Sequence, residues 1–179
     1  SVPALLADAG MTTDPTIAQL VTTGEGEVIV DMRTAEGTTE ALGGLYPGSS
    51  LYMDCEWVAE NKETVQKLAN AMVRTLQFID THTAAEIAAE MPTEFNGGDP
   101  QLYEKAIADS MTMFTADGVM PADGPANVLE VLATFSPSVQ AKEDSIDLSQ
   151  TYTTEFVQNV PPASTAQPAA ASDAQPQTP

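Results

Sequence analysis

Read by its apolar and polar positions, the chain mixes two short β-branched or aromatic runs with longer stretches whose apolar residues step by three and four. Asp14-Pro15 offers a capping carboxylate followed by a proline suited to a first helical turn, and Ile17, Leu20 and Val21 then share one helical face until Gly24. A helix is predicted there, feeding a buried strand over Val28-Ile29-Val30. From Thr34 to Ser50 the text is rich in Gly and Thr, with Gly43, Gly44, Pro47 and Gly48 close together, and predicts an irregular crossing between two bodies. Leu51 to Val58 predicts a second strand running into a helix capped by Asn61. That helix is the best marked in the chain. Val65, Leu68, Met72, Leu76 and Ile79 form one stripe, with Lys62, Lys67, Arg74 and Asp80 off it.

Three more helices follow. Thr83 with Glu86 is a capping-box pattern, and Pro92 stops that helix after Met91. Asp99-Pro100 repeats the cap-and-proline signal ahead of Tyr103, Ile107, Met111 and Phe114, and Pro125 opens a helix with Val128, Leu132 and Phe135 on one face. After Val160 the composition changes to Pro, Ala, Ser, Thr and Gln without periodicity, which predicts a disordered tail over residues 159–179. Many helices thus accompany two strands that lack neighbours, although a strand needs partners for its backbone groups. The expectation is the later portion of a larger α/β protein, its remaining strands supplied from outside these residues.

Composition narrows the function more than the fold. With 42% hydrophobic residues the chain has enough apolar bulk for a folded body. Lys and Arg total 6 against 26 Asp and Glu, a formal charge of -20, so phosphate backbones and anionic lipid are repelled and nucleic acid is excluded as a partner. The single cysteine, Cys55, cannot form an internal disulfide; its apolar surroundings predict a buried thiol without a basic neighbour to activate it. The one histidine, His82, stands between two helices with no second imidazole, so no metal site and no cofactor are expected. Gly43-Gly44 and Gly97-Gly98 lack the lysine and spacing of a phosphate loop. No apolar run reaches the roughly 18 residues of a membrane span, and no signal-peptide order opens the chain, so any targeting segment is expected outside it.

A family resemblance rests on the order of many short patterns. Thr13-Asp14-Pro15, Leu20-Val21, Gly24 and Val28-Ile29-Val30-Asp31-Met32-Arg33 come first, then Ala41-Leu42-Gly43-Gly44, Tyr46-Pro47 and Leu51-Tyr52. Thr64-Val65-Gln66-Lys67-Leu68, Asn70-Ala71, Glu86-Ile87-Ala88, Met91-Pro92, Tyr103 and Met113-Phe114 continue the series. It closes with Asp117-Gly118, Met120-Pro121, Asp147-Leu148 and Thr151-Tyr152-Thr153-Thr154-Glu155-Phe156-Val157. Taken in this order, residues 2 to 158 resemble the later half of substrate-binding proteins of the nitrate/sulfonate/taurine ABC importer group. The resemblance implies a type II periplasmic-binding-protein-like α/β fold of two lobes. Residues 1–45 would be the remnant of the second lobe, and residues 46–158 the crossover strand and helical finish of the first. It also implies a receptor that is a monomer when full length, periplasmic or extracellular with or without a lipid anchor, taking a small polar or anionic solute and delivering it to an ABC permease subunit.

The residues themselves offer six candidates for contact with such a solute. Thr12, Thr13 and Asp14 stand at a predicted helix N-terminus, where free N–H groups and the dipole favour an anion; plain capping is the competing reading. Arg33 is the only cation before Lys62, and a guanidinium grips sulfonate, nitrate or carboxylate through two parallel bonds; a solvated arginine past a strand is the alternative. Tyr46 and Tyr52 flank the crossing and offer ring faces or hydroxyls, against a packing role. No catalytic residue is expected. Two other functions stay in view: an enzyme on the same fold, similar to the thiamine-pyrimidine synthases but without their cysteine cluster, and a cell-surface module for which the tail is a spacer.

Overall fold

The computed structural model describes residues 8–162, and these fold as a helical assembly. Its helices are α1 (Thr16–Thr23), α2 (Ala35–Leu42), α3 (Cys55–Glu60), α4 (Lys62–Thr81), α5 (Ala84–Glu90), α6 (Pro100–Ser110), α7 (Gly124–Phe135), α8 (Pro137–Gln140) and α9 (Glu155–Gln158). Short 3-10 turns at Thr93–Asn96, Met111–Met113, Glu143–Ser145 and Leu148–Gln150 join several of them. The tail predicted to be disordered lies, from residue 163 onward, outside the described residues.

The expected α/β, type II periplasmic-binding-protein-like fold is therefore corrected: among the described residues there is no strand and no sheet. Val28, Ile29 and Val30 lie in a bend region, 41%, 77% and 57% exposed. Their β-branched side chains favour a pleated surface, but preference alone forms no ladder when no neighbouring backbone is present. The second predicted strand gives way for a different reason. Asp54 takes an extended backbone and its carboxylate accepts the Glu56 and Trp57 amides at 3.0 Å each, so Cys55 to Glu60 wind into α3. Cys55, expected to be buried, is exposed on the first turn of that helix. Trp57, an apolar signal for a strand, is 42% exposed.

Helices signalled by caps follow the sequence closely. Gly24 closes α1 in the left-handed conformation (φ 72°) that an L side chain avoids. Thr83 and Glu86 form the complete capping box of α5, and Asp99 caps α6 through Leu102 N–H. Asn61 does not cap α4; its side-chain amide donates to the Trp57 carbonyl at 2.9 Å and finishes α3 instead. Helix α2 lies within the stretch expected to be irregular. The Thr34 hydroxyl accepts the Gly37 amide at 3.0 Å and starts the turn.

Packing is organised around α4. Val65 and Ala69 form the central cluster with Phe156 of α9, and Met53 and Val58 press against it from before and within α3. Farther along the same edge, Val73 and Leu76 meet Gly118. Gln66 donates to the Phe156 carbonyl at 2.8 Å and fixes the short α9 across α4. Helices α5 and α6 pack together, as do α7 and α8, and α1 lies on α6 where Ala18 and Ala106 are both buried. At the start of α7, a Cβ at Gly124 would come within 2.9 Å of Pro47, so the loop after α2 seats there only because that residue is glycine. Asn127, the one buried polar residue among the described residues, donates to the Leu45 carbonyl at 3.2 Å and ties the same loop down.

Candidate functional site

The structure brings Asp14 and Arg33 together, but as partners of each other. Arg33 holds Asp31 with two side-chain bonds, Nε to Oδ1 at 2.9 Å and Nη2 to Oδ2 at 2.7 Å. Its Nη1 donates to Asp14 Oδ2 at 3.0 Å and lies 3.5 Å from Asp109 Oδ2. Local chain geometry sets this up, because the Arg33 amide itself donates to Asp31 Oδ1 at 3.0 Å and turns the two side chains toward one side. The Arg33 carbonyl accepts from the Thr112 hydroxyl at 2.8 Å, and Ser110 donates to Asp14 Oδ2 at 3.0 Å. Residues from before α1, from the segment before α2, and from the end of α6 thus meet at one guanidinium.

The node is half-buried, enclosed at its centre and open at its rim, where Asp31 is 43% and Lys105 59% exposed. Side-chain exposure is 16% for Arg33 and 9% for Asp14, so the charges are felt more strongly than on an open surface. The bonds from Arg33 hold the Asp31 carboxyl down at about 2, and Asp31 in turn pushes the arginine upward, further into its charged form. Lys105 adds a second cation through its 2.5 Å contact with Asp109. Three carboxylates against two cations leave the node with a formal charge of -1. An incoming anion would meet carboxylates on several sides of the guanidinium.

The helix N-terminus next to it is also engaged. The Thr16 and Ile17 amides donate to the Thr13 carbonyl at 3.1 and 3.4 Å, and the Ala18 amide donates to Asp14 Oδ1 at 3.2 Å. Pro15 has no amide proton. The donors that would attract an anion to α1 are thus used inside the chain. Thr12 and Thr13 are exposed beside this turn.

Tyr46 and Tyr52 occupy the segment between α2 and α3. Tyr46 is half-buried, with Gly48 close to its ring, whereas Tyr52 is 90% exposed next to Leu51 at 53%. Two concavities, of about 440 and 540 Å³, are each walled by a single helix: Ala35, Glu36, Thr39 and Glu40 of α2 in one, and Arg74, Gln77, Phe78 and Thr81 of α4 in the other. None of the six sequence candidates lines either. His82 stacks on Phe78 with ring centroids 3.8 Å apart, and its Nδ1 lies 2.9 Å from the Phe78 carbonyl. Among the described residues no cluster of His, Cys, Asp and Glu is disposed to hold a metal ion.

Sequence reasoning missed Asp31, Asp109, Ser110, Thr112 and Asn127. The Asp-x-Arg spacing of Asp31 and Arg33 and the Lys105/Asp109 pair at i,i+4 were readable signals of local ion pairing. That both pairs meet at the Arg33 guanidinium, beside Asp14, depends on the α1–α6 contact and has no local signature.

Helical, with a half-buried ion-pair node, the chain can be set against known proteins. No protein-family profile and no curated protein matches it. It is similar to a solved structure of a protein from Bordetella bronchiseptica RB50, at 38% identity and a TM-score of 0.78, covering 83% of this chain and 46% of that one. The chain therefore spans about half the length of the solved structure it matches.

Proposed function

We propose that this chain is part of the solute-binding component of an ABC importer, a non-enzymatic receptor that captures a small polar molecule between two bodies and hands it to a membrane permease. The observation that carries the reading is the unbroken order of the importer-like patterns from about residue 2 to residue 158. The match to only part of a longer solved chain is in keeping with it, because a site closed between two bodies needs both of them.

The geometry shifts the favoured solute away from a simple anion. Arg33, the candidate anion grip, is occupied by Asp14, Asp31 and Asp109, and the node carries a net negative charge. Tyr52, with its ring exposed, and Tyr46 are better placed to take a neutral or zwitterionic molecule by stacking and hydroxyl bonds. The enzyme alternative gains nothing here, since His82 is committed to Phe78. No helix of the described residues is long and apolar enough to cross a membrane.

Thermal-shift measurements on the complete gene product, with nitrate, an alkanesulfonate, taurine, bicarbonate and a pyrimidine, test the reading. Saturable stabilisation by taurine or the pyrimidine is expected. If nitrate and the sulfonate alone stabilise the protein, the solute class is wrong; if no class of small solute does, the receptor reading falls.

A further inference from the structure

Helix α4 carries uncharged side chains beyond the edge by which it packs. At 100° per residue, Val65, Ala69, Val73 and Leu76 fall on one edge, the edge packed on α9 and on Gly118. Thr64, Leu68, Ala71, Met72 and Thr75 fall on the adjoining edge with the half-buried Ile79, and these five are exposed, Leu68 at 41% and Met72 at 50%. The chain has 26 acidic and 6 basic residues, three of the basic ones on α4 itself, yet none of the five is charged. Even the Thr75 hydroxyl turns inward, donating to the Ala71 carbonyl at 3.0 Å. A helix built to face water carries its charges there; the charges of α4 stand instead at Glu63, Lys67 and Arg74, and near its ends at Lys62 and Asp80. The interior is thin as well: seven apolar residues are buried among the described residues, and no side chain is fully enclosed.

We propose that this open edge of α4 is the seat of a second folded body of the same gene product, equivalent to the part of the Bordetella chain that lies outside the match. That chain is about twice as long as the region this one matches, so a relative with the same helical arrangement carries the extra polypeptide. An edge without charge on a molecule of net charge -20 suits permanent burial against an apolar face. The inference is independent of the receptor reading, because a solute receptor, an enzyme and a surface module would each need the same cover.

Thiol labelling of the complete gene product in a Cys55→Ser background tests it. Met72→Cys is compared with Lys67→Cys on the charged side, and Thr75→Cys replaces the former if it does not fold. If the edge is covered, the thiol at position 72 reacts at least about ten-fold more slowly than that at 67, since it is reached only through local opening. Equal rates overturn the proposal. So does protection that disappears on dilution, which would assign the edge to a second copy of the chain, and so does a gene product with no further folded body.

Discussion

Arg33 is where residue chemistry and function diverge. A guanidinium alone among few cations invites an anion, yet here it joins three separate parts of the chain through Asp14, Asp31 and Asp109. Removing it leaves the Asp14 carboxylate, 9% exposed, without its cation. Arg33→Ala should therefore destabilise the protein by about 3 kcal/mol in urea unfolding. An arginine that served only a solute would leave the unfolding midpoint unchanged. Asp31 gives the same node a pH signature. Its folded value is lowered from 3.8 to about 2 by Arg33, so its contribution is present above the unfolded value and lost as pH falls through that window. Midpoints measured from pH 5 down to about pH 2 should fall, and less steeply in Asp31→Asn. An unaltered slope in that variant would show that Asp31 is not held by Arg33.

Helices were legible where a side chain announces their ends. Gly24, Thr83 with Glu86, and Asp99 with Pro100 each act within a few residues, so α1, α5 and α6 could be placed from sequence. Strands were misread because Val28-Ile29-Val30 satisfies only half of what a strand requires; the other half is a neighbour elsewhere in the chain. Asp54 and Thr34 were overlooked as caps because the apolar run after one and the glycine-rich text after the other pointed elsewhere. The site was less legible than the helices. Arg33 and Asp14 were singled out, but their mutual ion pair depends on α1 meeting α6. Docking of α9 on α4 separates two kinds of contact between the same elements. Phe156→Ala should cost about 3 kcal/mol, as loss of a buried aromatic does. Lys62→Ala should change stability by less than about 0.5 kcal/mol, because its 3.0 Å pair with Glu155 is 60% and 51% exposed. Urea midpoints of the two variants check this; similar losses would mean that the surface pair, not Phe156, fastens α9.

For the molecule as a whole, a thin interior and an uncovered edge of α4 underlie the proposal that a second body is seated on this one, whatever the function. In the receptor reading the solute draws the two bodies together, and its affinity follows from how far it favours the closed arrangement. Anion capture at Arg33 plays no part in that reading, and the exposed Tyr52 ring becomes the contact to watch. Small-angle scattering of the complete gene product, without solute and saturated with whichever of taurine or the pyrimidine stabilises it more, measures the closure directly. A smaller radius of gyration is expected in the saturated protein, with the solute recovered unchanged. An unchanged radius at saturation, or chemical conversion of the solute, would contradict it.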